Sequence, residues 1–354
     1  MIKTIDMTSY EKLELKPNYQ DTIKRYEAFW NGDIIDRPIV RVRAPNPSFK
    51  GEKYLDNYYT RLNNPLEKIV EGLMHNASAA LYLGEAVPCP YLSFGCDEVT
   101  AFCGGSLEFT EGDHDTCWSA PYVEKWEDVM PIAIDPNNAL WLRMQALMDM
   151  CAESMAGKML FNPLDLHTNA DLLLAMRGGE GLCLDLIDCP EVIDAAMEQT
   201  MAVFDELYNR AYKPYNIPGI FGITLQCDFS CMVSTAMFRR FILPYLEREA
   251  EYFRRRVYYH WDGLTALTHT NDIVNSKGLY VVAFVPGAGH GPHIDYYELY
   301  QKIQRGGKAV AVGGTVDEVK FLHKRLKPEL TTYDVYVKTE KEAEDILKWF
   351  KANT

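Results

Sequence analysis

Short apolar segments recur along the chain, and helical segments separate nearly all of them. The predicted strands cover residues 39–44, 86–93, 158–164, 219–226, 257–262, 279–285, 308–313 and 333–338. Strands that alternate with helices form a parallel sheet, because each helix returns the chain to the same sheet edge. Eight such units in 354 residues predict a single (β/α)8 TIM barrel, an α/β fold, over residues 1–354.

Two regions fall outside the repeating pattern. Charged and aromatic residues at helical spacing in 10–32 predict a helical extension before the first strand. Residues 96–135 are rich in Gly, Asp and aromatic residues and predict an irregular insertion with small hairpins. The alternative fold is a doubly wound sheet, which is less favoured because no strand leads into a Gly-x-Gly-x-x-Gly helix start.

Composition excludes several classes of function. The net charge of −14, from 36 basic and 50 acidic residues, argues against general binding to nucleic acid or to anionic membranes. A local basic pocket for an anionic ligand remains possible. No apolar run is long enough to cross a bilayer, and the N-terminus lacks a signal-peptide pattern. We therefore expect a cytoplasmic protein. Nine cysteines without a Cys-x-x-Cys pair do not indicate a disulfide framework.

The segment 257–262 ends in His260-Trp261-Asp262-Gly263. Residues two apart on a strand point to the same side, so His260 and Asp262 are expected to project together. In a parallel α/β protein the chemistry lies where strands end. A histidine beside a carboxylate can hold a metal, transfer a proton or bind a polar substrate. The alternative is a histidine that is simply hydrogen-bonded inside the mouth of the barrel.

Other polar groups also follow predicted strands and should converge with this pair. They are Arg41 and Arg43, Asp165 and His167, Cys227 and Asp228, and the loop 286–293 with Gly287, Gly289 and His290. We interpret His260, Asp262, Asp228 and His167 as catalytic candidates. The arginines could clamp an anion, and the glycines could let backbone amides approach a ligand. Ion pairs on the outside of the barrel and an ordinary glycine turn are the alternatives.

Several longer stretches resemble the uroporphyrinogen decarboxylase superfamily. They are FWNGDIIDRP at 29–38, DLLLAMRGGE at 171–180, DCPE at 188–191, STAMFRRFILPY at 234–245, HWDG at 260–263, VPGAG at 285–289 and GGK at 306–308. That superfamily includes the decarboxylase itself and the corrinoid-dependent methyltransferases. The resemblance implies a TIM barrel and a homodimer.

Departures from the family patterns narrow the expectation. The decarboxylase carries Arg-Gln-Ala-Gly-Arg after its first strand, whereas this chain has RVRAPNP at 41–47, which argues against a porphyrinogen substrate. Coenzyme M methyltransferases of the family carry His-x-Cys-Gly and a second cysteine near the last strand, and these residues hold zinc. Here Asp262 replaces the first cysteine and the last strand has none. A zinc site of different composition is therefore expected. It would use His260, Asp262 and Cys227, or it would use His167. Nitrogen and oxygen ligands of this kind are harder than thiolates and suit a metal that binds an oxygen or amine substrate.

Three functions follow from the resemblance. The first is a corrinoid-dependent methyltransferase that acts on a small methylated substrate with a separate cobalamin protein, since the chain has no Asp-x-His-x-x-Gly motif. The second is a metal-free decarboxylase of a polycarboxylate, in which Asp228 or His260 protonates the carbanion. The third is a binder of corrinoid or tetrapyrrole without turnover. Methyl transfer requires the methylated corrinoid partner, and decarboxylation does not.

Overall fold

The computed structural model describes residues 4–109, 116–216 and 221–354. Its strands are β1 (Ile39–Pro45), β2 (Ala80–Gly84), β3 (Leu107–Phe109), β4 (Cys117–Ser119), β5 (Ile223–Gln226), β6 (Val257–Asp262), β7 (Val281–Val285), β8 (Ala309–Thr315) and β9 (Thr331–Tyr336). Seven of them form one sheet in the order β2-β1-β9-β8-β7-β6-β5. All neighbours are parallel except β1 and β2, so the fold is α/β, as predicted.

Helices connect most of the parallel strands. They are Tyr19–Trp30, Tyr58–Asn63, Leu66–Ser78, Glu98–Phe102, Ala139–Ser154, Asn169–Arg177, Gly179–Asp188, Pro190–Leu207, Thr235–Met237, Leu243–Tyr252, Thr270–Asn275, Tyr297–Arg305, Val316–His323 and Glu340–Asn353. The insertion holds the small antiparallel hairpin β3–β4, in agreement with the prediction for 96–135. Within the described ranges, none of these helices has the length and apolar character needed to cross a membrane.

Six of the predicted strands are present, and β6 has the predicted bounds. Residues 219 and 220 of the predicted fourth strand lie outside the described residues. The predicted strands at 86–93 and 158–164 are not formed as strands, although Leu160 and Asn162 donate backbone hydrogen bonds to the carbonyls of Pro88 and Pro90. Proline has no N–H, so these two prolines cannot donate back and a full ladder is prevented.

Among the described residues, the seven-stranded sheet does not close into a barrel. Its edges are β2 and β5, and the described residues form no ladder between them. The chain between these edges makes only the short parallel contact of 88–92 with 160–162, with one bridge between Tyr91 and Asn162. The strand β2 was not predicted, because its apolar residues continue the pattern of the preceding helix.

The register of the sheet decides which residues face the interior. Arg41 of β1 lies opposite Asp334 of β9, and His260 of β6 lies between Gln226 of β5 and Ala283 of β7. Val42 and Trp261 directly follow Arg41 and His260 along their strands. They point to the other face of the sheet and are fully buried there, against the helices. Every second residue of a strand therefore faces the interior, toward the space between the strand ends.

The N-terminal helix Tyr19–Trp30 packs across the start of the strands. The ring of Trp30 lies 5.8 Å from that of Tyr258 and 5.7 Å from that of Tyr280. Because Tyr258 is the second residue of β6 and Tyr280 directly precedes β7, the helix covers the N-terminal side of the sheet. The C-terminal ends of the strands are left open for a site.

Candidate functional site

A cleft lies among the inner-face residues toward the C-terminal ends of the strands. It consists of two cavities, of about 360 Å³ and about 740 Å³. They share the lining residues Arg43, Cys89, Tyr91, Thr224 and His260, so they are continuous. The smaller cavity runs down to Tyr26 and Tyr258 beside the N-terminal helix, and the larger one opens past Asp165 and Tyr58.

An acidic cluster with one histidine lies beside this cleft. Donor atoms of His167, Asp171 and Asp228 all lie within 4.8 Å of one another. Nδ1 of His167 is 3.5 Å from Oδ2 of Asp171, and Nε2 is 3.6 Å from Oδ2 of Asp165. These separations are too long for strong direct hydrogen bonds. Since Asp165 also lines the larger cavity, it connects the cluster to the cleft.

The charge of His167 is set by its two carboxylate neighbours. Burial alone would lower its pKa, but Asp165 and Asp171 raise that pKa well above its ordinary value. Burial raises the pKa of Asp165, but His167, Gln226 and His260 together lower it more, so the net shift of this carboxyl is downward. In the absence of a metal, the imidazole is therefore a cation held between two carboxylates.

The carboxyl of Asp228 has a raised pKa. Burial, followed by repulsion from Asp171, raises its pKa to about 7. Its Oδ1 atom is buried and has no hydrogen-bond partner among the described residues. A carboxyl with this pKa can give or take a proton near neutral pH, and the catalytic role of Asp228 stays a prediction.

Buried hydrogen bonds hold the cluster in place. Gln226 donates to Oδ1 of Asp165 at 2.7 Å, and the backbone N–H of Asp165 donates to the buried Glu98 at 3.1 Å. Behind them, Asn169 donates at 3.1 Å both to the carbonyl of Gln226 and to Glu249. Such outer contacts fix the orientation of the groups that reach the ligand.

His260 and Asp262 do occupy neighbouring inner positions of β6, as predicted. His260 lines both cavities. Burial lowers its pKa, although Asp262 and Asp165 oppose that effect, so the imidazole is neutral at pH 7 and can accept a proton or a hydrogen bond. Asp262 lies close enough to raise the pKa of Asp228. The two residues thus border the acidic cluster.

The structure does not assemble the predicted metal triad of His260, Asp262 and Cys227. Among the described residues, the set with three converging donors is His167, Asp171 and Asp228 instead. The reason is the alternation of side chains along a strand: Gln226 faces the cleft, so Cys227 faces away from it. Its thiol is fully buried, near Asp171. Burial raises the pKa of this thiol well above its usual value.

The two arginines of β1 have different environments. Arg41 forms a bidentate ion pair with Asp334, in which Nε lies 2.9 Å from Oδ1 and Nη2 bonds Oδ2. Arg43 lines both cavities and has no ion pair or hydrogen bond with a described residue. Of the two predicted anion-binding residues, Arg43 is therefore the one with free donors.

The glycine loop lies beyond the cleft lining. Gly287 and Gly289 adopt positive φ angles of +90° and +82°, which favour glycine, and His290 is exposed. None of these three lines either cavity, so their role in binding stays a prediction. His293, a few residues further on, does line the smaller cavity, and its Nδ1 bonds the hydroxyl of Tyr300 at 2.6 Å.

Sequence reasoning missed Asp171 and His293. Asp171 lies in the first turn of the helix Asn169–Arg177, where an acidic residue is expected for helix stability alone. Its spacing of four residues from His167 gave no reliable signal, because His167 lies in the loop before this helix. No signal distinguished His293 from His290, which lies in the same loop.

Comparison with known proteins bears on the fold. No protein-family model matches the chain, and no curated protein matches it in sequence. A solved structure described as a methyltransferase from Methanosarcina mazei superimposes with a TM-score of 0.60. The match covers 94% of this chain and 98% of the other, at 12% sequence identity. The expected resemblance to a methyltransferase is confirmed at the level of the fold.

Proposed function

We propose that this protein is a metal-assisted, corrinoid-dependent methyltransferase. The observation that carries the proposal is the cluster of His167, Asp171 and Asp228 next to a cleft at the strand ends. The shared fold with a methyltransferase supports it. The substrate class is a small methylated oxygen or amine compound, because the converging donors are nitrogen and oxygen rather than thiolates.

The residues of the cluster fit a zinc ion. Zinc binds histidine nitrogen and carboxylate oxygen at about 2.0–2.2 Å, so two such donors on a tetrahedral ion lie roughly 3.4 Å apart. The 3.5 Å between His167 and Asp171 agrees with that spacing, and the unpartnered Oδ1 of Asp228 supplies a further donor. His167, Asp171 and Asp228 would hold the ion, which would act as a Lewis acid on the substrate heteroatom.

Protein side chains would supply the remaining chemistry. Asp165 would keep the His167 ring oriented, as carboxylates commonly do for metal-bound histidines. The neutral His260 would accept a proton or a hydrogen bond from the substrate, and Asp262 would hold that imidazole in place. Arg43 would bind an anionic group of the substrate through its free guanidinium donors.

The partner and the assembly are part of the same proposal. Cobalamin, carried by a separate protein, would supply a cobalt centre that accepts or donates the methyl group. We further propose that residues 88–92 and 160–162 complete a TIM barrel through their short parallel contact. Homodimerisation remains an expectation from the family resemblance.

A spectroscopic assay tests the function. The purified protein is mixed with reduced free cobalamin, which stands in for the partner, and with methanol, methylamines or methoxylated aromatic acids. We expect methylcobalamin to appear with at least one donor class and to require added zinc. The same mixture with a chelator is the control.

The decarboxylase alternative has one observation in its favour. Asp228, with its pKa of about 7, is half protonated near neutrality and could protonate a carbanion, while Arg43 could hold a carboxylate. Release of CO2 from polycarboxylates without zinc and without cobalamin, together with no methylcobalamin from any donor, would replace the proposed methyl transfer by this lyase reaction.

A further inference from the structure

Two thiols from separate segments meet near the acidic cluster. Sγ of Cys96 donates to the backbone carbonyl of Cys117 at 2.9 Å, so the two cysteines are in direct contact. Sγ of Cys117 lies 3.7 Å from the carbonyl of Phe94. The methyltransferase proposal gives the pair no role.

The contact is held from both sides. Gly95 has a φ of +142°, and a Cβ on this residue would lie 1.8 Å from Sγ of Cys117. Only glycine therefore allows the backbone of 94–96 to approach so closely. On the other side, Oδ2 of Asp97 accepts a hydrogen bond from the backbone N–H of Ser119 at 2.8 Å. The short approach is thus built into both segments.

The thiols differ in acidity and in exposure. The neighbouring thiol of Cys96 lowers the pKa of Cys117, whereas the thiol of Cys117, together with burial, raises the pKa of Cys96. Cys117 is buried and Cys96 is partly exposed. Cys96 is therefore the thiol that a small disulfide can reach, and Cys117 is the buried neighbour that can then attack the mixed disulfide on Cys96.

We propose that Cys96 and Cys117 form a reversible disulfide, a redox modification site next to the cleft. The oxidant is a low-molecular-weight disulfide. One cysteine thiolate attacks it and releases one small thiol, and the second cysteine then displaces the other small thiol from the mixed disulfide. The protein loses two electrons and two protons, and both protons end on the two small thiols.

This modification would act on the segment that supports the site. Glu98 accepts hydrogen bonds from the backbone of Phe94 at 2.8 Å and from that of Asp165 at 3.1 Å. A bond between Cys96 and Cys117 would fix residues 94–98 and, through Glu98, the backbone of Asp165. The inference goes beyond the proposed methyl transfer and does not rest on it.

Peptide mapping tests the disulfide. The reduced full-length protein is incubated with oxidised glutathione, its remaining thiols are alkylated, and it is cleaved after acidic residues, since 97–116 contains no lysine or arginine. We expect a linked peptide pair joining Cys96 to Cys117, lighter by two hydrogens than the reduced pair and separated by dithiothreitol. Cys96→Ser should abolish it, and Cys183→Ser, which alters another partly exposed thiol, should not.

Two results would overturn the proposal. One is a wild-type protein that carries only mixed glutathione adducts, without the linked peptides, after its folded state has been verified by circular dichroism. The other is pairing of Cys117 with Cys89 or Cys103 as often as with Cys96, which would indicate unselective oxidation. Neither result depends on methyltransferase activity, so the proposed function would be unaffected.

Discussion

Asp171 holds Asp228 by the backbone and not by the side chain. Oδ2 of Asp171 accepts the N–H of Asp228 at 2.9 Å, and its Oδ1 accepts the N–H of Phe229 at the same distance. The carboxyl of Asp228 is therefore fixed in position without losing its own acceptor atoms. That arrangement leaves Oδ1 of Asp228 without a hydrogen-bond partner among the described residues, and the first prediction concerns what it binds.

Zinc should bind to the purified protein in a one-to-one ratio and should depend on the acidic cluster. We expect His167→Ala and Asp228→Asn to lose the metal, measured by elemental analysis after dialysis against zinc. His260→Ala should retain it, because His260 is not among the three converging donors. If His260→Ala loses the metal and His167→Ala keeps it, the site is instead the one expected from the sequence.

Glu249 should make stability depend on pH. Burial raises its pKa from 4.5 to about 8, so the unfolded carboxyl ionises first and the folded one keeps its proton. The free energy of unfolding should therefore fall as the pH rises from about 4.5 to about 8, by on the order of a few kcal/mol. Glu249→Gln should reduce that fall in urea unfolding. Glu98, whose pKa burial also raises to about 8, should account for the pH dependence that remains in this variant.

The control for Glu249 is Glu251→Gln on the same helix. Glu251 is exposed and pairs with Arg255, so its removal should change stability by less than about 0.5 kcal/mol at every pH. An unchanged pH profile for Glu249→Gln would show that the carboxyl of Glu249 is ionised in the folded protein.

Substitution of Arg41 should reduce the stability of the protein more than substitution of Arg43. Arg41→Gln removes the partner of Asp334 and should cost about 1–3 kcal/mol of unfolding free energy. Arg43→Gln removes no ion pair or side-chain hydrogen bond with a described residue and should cost less than about 0.5 kcal/mol. Urea unfolding of the two variants checks this order. Equal losses would mean that Arg43 has a structural partner.

Gly95→Ala should strongly destabilise the insertion. The new Cβ would combine a positive φ with a 1.8 Å approach to Sγ of Cys117, so we expect a loss of about 3 kcal/mol or more. Gly104→Ala is the matched control, because Gly104 has a φ of +108° but nothing within 4 Å of the Cβ position. It should cost about 1 kcal/mol from backbone strain alone. A similar loss in both variants would contradict the close approach.

The sequence predicted the strands where one signal was continuous. The segment 257–262 is a short apolar run between an arginine-rich helix end and Gly263, and β6 has those bounds. The segments 86–93 and 158–164 carry the same apolar signal but also Pro88, Pro90 and Pro163. The missing N–H groups outweigh the apolar pattern there, and only part of the ladder forms.

The site was predicted less completely than the fold. His167, Asp228, His260, Asp262 and Arg43 do gather around the cleft and its cluster, because strand ends share one side of a parallel sheet. The three residues that could hold a metal were not predicted, because their identity depends on the direction in which each side chain points after its strand ends. Cys227 follows Gln226 directly, and a shift of one position reverses the direction of a side chain. Residue order along the chain does not show where a strand stops.

The ion pair of Arg41 with Asp334 has a consequence for biosynthesis. It joins residues 293 positions apart, and the strand that carries Asp334 lies between β1 and β8. A nascent chain that has not yet exposed β9 therefore leaves β1 with an unpaired edge for most of translation. Such an edge invites pairing with other chains. Ribosome-bound fragments that end before β9 should consequently be the species most dependent on chaperones.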